Sequence, residues 1–178
     1  MMKTFIILGM HRSATSLAAK GLHESGVWMG EDLIGVTPSN PYGHYENRRF
    51  VQLNCDILQK AGGSWDRPPS KEKIISAGKA LSDRIKQTIE MESAGHKLWG
   101  WKDPRNTLTI DCYWPHLQGA HLIVCFRNPV EVAASLSKRD GFSLAKGLGL
   151  ANEYNKRLME FLNRQYLTGA AIVTAKRG

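Results

Sequence analysis

A three-layer α/β/α domain with a central parallel sheet is the fold that this 178-residue sequence predicts. Three observations predict it. Four short apolar runs alternate with longer segments whose apolar residues recur at helical spacing. Two of those runs pass directly into a loop and a further helical pattern, the order of a βα unit. A composition of 42% hydrophobic and 22% charged residues suits one folded domain, taken as 1–178, with a sizeable core.

The first run, 4–8, ends in Phe5-Ile6-Ile7-Leu8 and precedes a helix expected over 14–25. A second helix is expected over 47–60, where Phe50, Leu53, Asn54, Ile57 and Leu58 keep helical spacing. Ile74, Ile75, Leu81, Ile85 and Ile89 mark one more within 70–91. The second run is 97–101 and the third is 121–126, with Val130, Ala133, Ala134 and Leu136 after it. Leu144, Leu148, Tyr154, Leu158, Phe161 and Leu162 form the longest helical stripe, ending near Gln165 ahead of the fourth run, 170–174. Strands separated by helices imply crossover connections, a parallel sheet, and ligands bound outside the carboxyl ends of the strands. The loops 35–44 and 61–69, rich in proline and glycine, read as site or lid loops.

A net charge of +8 favours acidic ligands, yet the basic residues are spread along the chain as on a solvated surface. Nucleic acid is not expected as a partner. Cys55, Cys112 and Cys125 are odd in number and widely spaced, which argues against a disulfide framework or a zinc site and fits a reducing cytoplasm. His11 and Arg12 interrupt the first apolar run too early for a signal-peptide core, and no segment reaches membrane-spanning length. The sequence leaves the oligomeric state open.

Two segments at strand ends carry the chemistry. Gly9-Met10-His11-Arg12-Ser13-Ala14-Thr15-Ser16 comes directly after the first run, and Arg127 through Ser135 comes after Leu122-Ile123-Val124-Cys125-Phe126. A glycine at a turn lets the backbone approach an anion, a helix start offers N–H groups, and arginine and hydroxyl side chains add charge and donors. Two such segments in one sheet suggest a ligand with two separated anionic groups. The first loop lacks the second glycine and the lysine of a Walker phosphate loop, which weakens an ATPase reading. It resembles the 5′-phosphosulfate loop of sulfotransferases that use 3′-phosphoadenosine 5′-phosphosulfate, whose bacterial form usually reads Gly-Met-His-Arg-Ser-Gly-Thr-Ser, and it differs only at Ala14.

The resemblance implies a P-loop-like sulfotransferase architecture and a nucleotide donor, with an unidentified hydroxyl or amine acceptor and no metal. Gly9, His11, Arg12, Ser13, Ala14, Thr15 and Ser16 would hold the 5′ side of the donor. Arg127 and Ser135, with the family's eight-residue interval, would hold its 3′-phosphate. Asn40-Pro41-Tyr42-Gly43-His44-Tyr45-Glu46 is similar to the family's Asn-Pro-x-Gly-x-x-Glu stretch. Glu46 is thus the candidate base, provided burial raises its pKa, and His44 competes for that role. Lys102-Asp103-Pro104-Arg105 resembles the family's Lys-Asp-Pro-Arg; Lys102 or Arg105 would bind the acceptor or the transferred group, and Asp103 would orient one of them. Arg12 would stabilise charge on the transferred group but stays protonated and donates no proton. Ala14 costs roughly 1 to 2 kcal/mol if its position requires a left-handed backbone, and nothing in a helical first turn. The family usually continues beyond the fourth strand with helices and a basic loop, a segment expected to be missing from a chain ending Lys176-Arg177-Gly178. Two other classes stay open at this point: an atypical P-loop kinase, and a non-catalytic module that binds nucleotides or polyanions.

Overall fold

The computed structural model describes residues 2–38, 40, 43–166 and 172–175. Along the chain, β1 (Lys3–Leu8) leads into α1 (Thr15–Glu24), and a short antiparallel pair, β2 (Leu33–Ile34) with β3 (Glu46–Asn47), precedes α2 (Arg48–Lys60). Next come α3 (Lys71–Ala80), α4 (Ser82–Ser93), β4 (Leu98–Lys102), α5 (Asn106–Tyr113), β5 (His121–Cys125), α6 (Pro129–Asp140), α7 (Leu144–Tyr166) and β6 (Ile172–Ala175). β1, β4, β5 and β6 form a parallel sheet in the order β4-β1-β5-β6. The chain runs from β1 to β4 on one side and then crosses back over β1 to β5 on the other. A crevice therefore opens outside the carboxyl ends of β1 and β5, at the switch point where α/β sheets bind ligands.

The period-two alternation of β1 divides the core. Ile6 and Leu8 point into the larger cluster with Phe50, Trp101, Leu136 and Tyr154, while Ile7 points the other way against Ala19, Val27, Met29 and Cys125. Helices thus cover both faces of the sheet. Trp99 and Trp101 are packing residues, with the Trp101 and Phe50 rings stacked 4.3 Å apart. Outside β4, Trp28 donates its N–H to the Leu98 carbonyl at 3.0 Å and accepts from the Gly100 N–H at 2.9 Å. Among the described residues no helix is long and apolar enough to cross a membrane.

The expected strands and helices appear with shifts of a residue or two, and three differences have physical causes. The single helix expected within 70–91 is two helices broken at Leu81, whose φ of −113° and ψ of 15° leave the helical region. α5 was not expected: seven of its eight residues are buried, so its sequence carries no amphipathic period. β2 and β3 span two residues each, too short for an alternation signal. The start of the fourth run, residues 170 and 171, lies outside the described residues, as do Pro41, Tyr42 and the chain end 176–178.

Asn54, on the apolar stripe of α2, is fully buried and ties α2 to the segment after β4. Its Nδ2 donates to Asp103 Oδ2 and Asn106 Oδ1, both at 2.9 Å, while its Oδ1 accepts from the hydroxyls of Thr109 (2.6 Å) and Tyr113 (2.9 Å). All four hydrogen-bonding positions of the amide are used. Asn54→Ala strips partners from several buried polar groups and should cost about 3 kcal/mol or more. The measurement is the denaturant midpoint at unchanged slope, and a loss below about 1 kcal/mol contradicts the assignment.

Candidate functional site

The turn between β1 and α1 is built on backbone conformations that few residues accept. Gly9 has φ 147°, and a Cβ there would lie 2.5 Å from the Cys125 carbonyl oxygen, so only glycine allows the ends of β1 and β5 to approach so closely. The Gly9 N–H donates to Thr107 Oγ1 at 2.9 Å and is therefore committed inside the fold, not to the crevice. The Ser13 N–H closes the turn onto the Met10 carbonyl at 3.2 Å, with Ser13 buried behind the loop. Arg12 and Ala14 both have positive φ, 68° and 63°. Ala14 is left-handed at the helix start, so replacing the usual glycine does carry the strain cost. α1 begins with no side-chain cap; the Leu17 N–H bonds the Ala14 carbonyl at 3.0 Å, and the Thr15 and Ser16 N–H groups before it lack intrahelical partners.

Two clefts flank this turn. The first, of about 450 Å³, is lined by Arg12, Ala14, Thr15, Ser16, Leu17, Lys20, Asn40 and Arg127. Three cations and the open start of α1 meet there, and among the described residues no carboxylate lines it. The second, of about 410 Å³, is lined by His11, Arg12, Thr15, Ser16, Asn40, His44, Glu46, Trp65, Lys102, Pro104, Arg105, Arg139 and Asp140. Arg12, Thr15, Ser16 and Asn40 form the wall common to both.

Arg127 and Ser135 converge on Arg12. Arg127 Nη1 donates to the Arg12 carbonyl at 3.0 Å, and Arg12 Nε donates to Ser135 Oγ at 2.8 Å. The second segment therefore reaches the loop through Arg12, with Ser135 facing back as its position two turns into the helix requires. Glu131 holds Arg127 Nε at 2.7 Å. Burial, and then the charges of Arg139 and Arg127, press the Arg12 pKa down from its ordinary value. An anion in the first cleft relieves that crowding of like charge.

In the second cleft the Lys102 ammonium is buried and spends its donors on Glu46 Oε1 (2.6 Å), the His44 carbonyl (3.0 Å) and Ser16 Oγ (3.1 Å). Ser16 Oγ also accepts from Asn40 Nδ2 at 3.0 Å. With both lone pairs filled, its own O–H is left to donate to whatever enters between the clefts. Burial alone drives the Glu46 carboxyl upward, as a general base requires, but the neighbouring His44 ring and the Lys102 ammonium outweigh it. Glu46 is held below the usual carboxylate range, which corrects the expectation of a raised pKa. His44 Nδ1 lies 3.8 Å from Glu46 Oε1, and its Nε2 lies 2.9 Å from Thr37 Oγ1. The imidazole braces Glu46 from the loop side.

Asp103 is fully buried and accepts from Asn54 and from both the N–H (3.0 Å) and Nη1 (2.8 Å) of Arg105, so it orients Arg105 along the cleft. His11 is buried against Trp65, ring centroids 4.5 Å apart, and its Nε2 has no hydrogen-bond partner. Burial first, and then the Arg105 charge, hold its pKa well below the ordinary histidine value, so the ring is neutral. Of the residues expected from the sequence, Gly9 and Ser13 shape the loop from behind, while the others line a cleft or touch a lining residue. Sequence reasoning gave no role to Lys20, Asn40, Trp65, Arg139 or Asp140. Lys20 stands four residues after Ser16 on one helix face and was open to detection, whereas Trp65 and Arg139 reach the cleft only through tertiary folding. Comparison of the chain with protein-family models, with curated proteins and with solved structures found no match.

These geometries give two expected outcomes. Ala14→Gly relieves the left-handed alanine and, after the entropy cost of glycine, should raise unfolding stability by roughly 0.5 to 1 kcal/mol; a decrease means the alanine is unstrained. Because Glu46 is depressed in the fold, its contribution is present above the unfolded value of about 4.3 and is lost as pH falls through the range below it. Unfolding free energy measured from pH 6 to pH 2 should therefore fall less steeply in Glu46→Gln than in the parent chain, and parallel acid limbs contradict this.

Proposed function

We propose that this chain is a sulfotransferase that moves a sulfuryl group from 3′-phosphoadenosine 5′-phosphosulfate to a hydroxyl or amine acceptor. One observation carries the reading: a cation-lined cleft at an open helix start shares the Arg12, Thr15, Ser16 and Asn40 wall with a second cleft holding a buried lysine and carboxylate. The first cleft suits a donor with two phosphate-type groups. Lys20, Arg127 and the first-turn N–H groups supply neutralising charge and donors, and no carboxylate among the described lining residues repels an anion. The second cleft suits the acceptor.

The donor supplies the sulfuryl group, and the chemistry asked of the protein is positioning and charge neutralisation, as in phosphoryl transfer. The Ser16 O–H points its proton at the transferred oxygens. Lys102 exchanges its bond to Glu46 for one to the same oxygens, which loosens the grip that holds the Glu46 carboxyl low. Glu46 then accepts the acceptor's proton as the acceptor oxygen–sulfur bond forms. The bond from sulfur to the bridging oxygen breaks, and the electron pair stays on the departing 5′-phosphate beside Arg12 and the helix start. Arg12 must turn from Ser135 to do this, which couples the donor's two ends through one side chain.

Calorimetric titration with 3′-phosphoadenosine 5′-phosphate tests the reading, and absence of binding at millimolar ligand overturns it. Arg127→Ala should weaken that nucleotide about tenfold or more while changing adenosine 5′-phosphate little. Equal losses remove the 3′-phosphate role of Arg127.

A further inference from the structure

Clefts that take apolar small molecules are lined mainly by hydrophobic and aromatic side chains. The second cleft is the opposite: only Trp65 and Pro104 of its lining are apolar. A phenol or a steroid would bury its surface against charged groups there, at a cost no contact offsets. Buried polar atoms in folded chains nearly always have partners, so those without one call for an explanation. Among the described residues, two of the buried nitrogens that lack a partner, His11 Nε2 and Arg105 Nε, belong to residues lining this same cleft.

Their chemistries differ and together specify a ligand. Arg105 already gives Nη1 to Asp103, which fixes the guanidinium plane and leaves the Nε side of a planar fork without an acceptor. A planar two-oxygen carboxylate is the group that matches such a fork. Neutral imidazole pairs with a hydroxyl, which both donates and accepts. Neither nitrogen is open to solvent, and the His11 ring packs on the Trp65 indole, whose backbone carbonyl accepts from the Tyr154 hydroxyl at 2.9 Å.

We infer that the second cleft takes an acceptor carrying a carboxylate beside its hydroxyls, of the uronic-acid type, with Arg105 holding the carboxylate and His11 a hydroxyl. As an acceptor assignment this rests on the sulfotransferase reading, but the binding preference stands without it. The intact chain is titrated with methyl glucuronate, methyl glucoside and glucose 6-phosphate, read by calorimetry and by ligand-observed NMR. Glucuronate should bind about ten- to hundredfold more tightly than glucoside. Equal binding of the two, preference for the phosphate, or binding of none of the three overturns the inference. Failure of 3′-phosphoadenosine 5′-phosphate to bind overturns only the donor reading. His11→Phe keeps a ring against Trp65 and removes the unpaired nitrogen. It should weaken glucuronate binding without lowering the thermal midpoint, whereas unchanged affinity removes His11 from the site.

Discussion

The buried ammonium of Lys102 is the constraint on which the rest of the site depends. Removing an ammonium from water is costly unless every proton finds an acceptor, and here the three acceptors come from two separate pieces of chain: Ser16 in α1, and the His44 carbonyl with Glu46 at the start of β3. The end of β4, the start of α1 and the 40s loop are therefore fixed relative to one another by one side chain. Asp103, the next residue, extends the same logic inward through Asn54 to α2 and α5. The crevice at the sheet edge is rigid because two adjacent residues at one strand end anchor four elements.

Charge is distributed unevenly around that frame. In the second cleft Lys102, Arg105 and Arg139 each have an acidic partner close by, in Glu46, Asp103 and Asp140. In the first cleft Arg12 and Arg127 stand side by side, and Glu131 pairs with Arg127. The molecule keeps a compensated compartment and an electropositive one on either side of a single loop. Positive φ at Arg12 and Ala14 adds strain to the loop that separates them.

Strand ends were the most legible part of the sequence, because apolar runs fix where strands stop and a glycine or arginine marks the turn beyond each one. The gathering of loop 9–14, residues 44–46, 102–105 and 127–135 at one sheet edge comes from those strand ends plus parallel pairing. What stayed hidden depends on tertiary distance. Nothing local shows that Arg12 rests on Ser135, that Gly9 spends its N–H on Thr107, or that a lysine would pull Glu46 down against its own burial. α5 was invisible for the opposite reason, since a helix enclosed on nearly all sides has no polar face to mark its period. Asn54, read from the sequence only as one position of the α2 stripe, is the hub of a buried polar cluster.

The Trp28 segment running beside β4 has a consequence for the molecule in solution. An edge strand presents a row of unused N–H and C=O groups, a template on which another chain can add itself. By taking the Leu98 carbonyl and the Gly100 N–H, two backbone bonds of Trp28 occupy the sites at which intermolecular pairing with β4 would begin. The strap acts as a built-in guard against self-association on that flank, and it leaves the crevice side untouched.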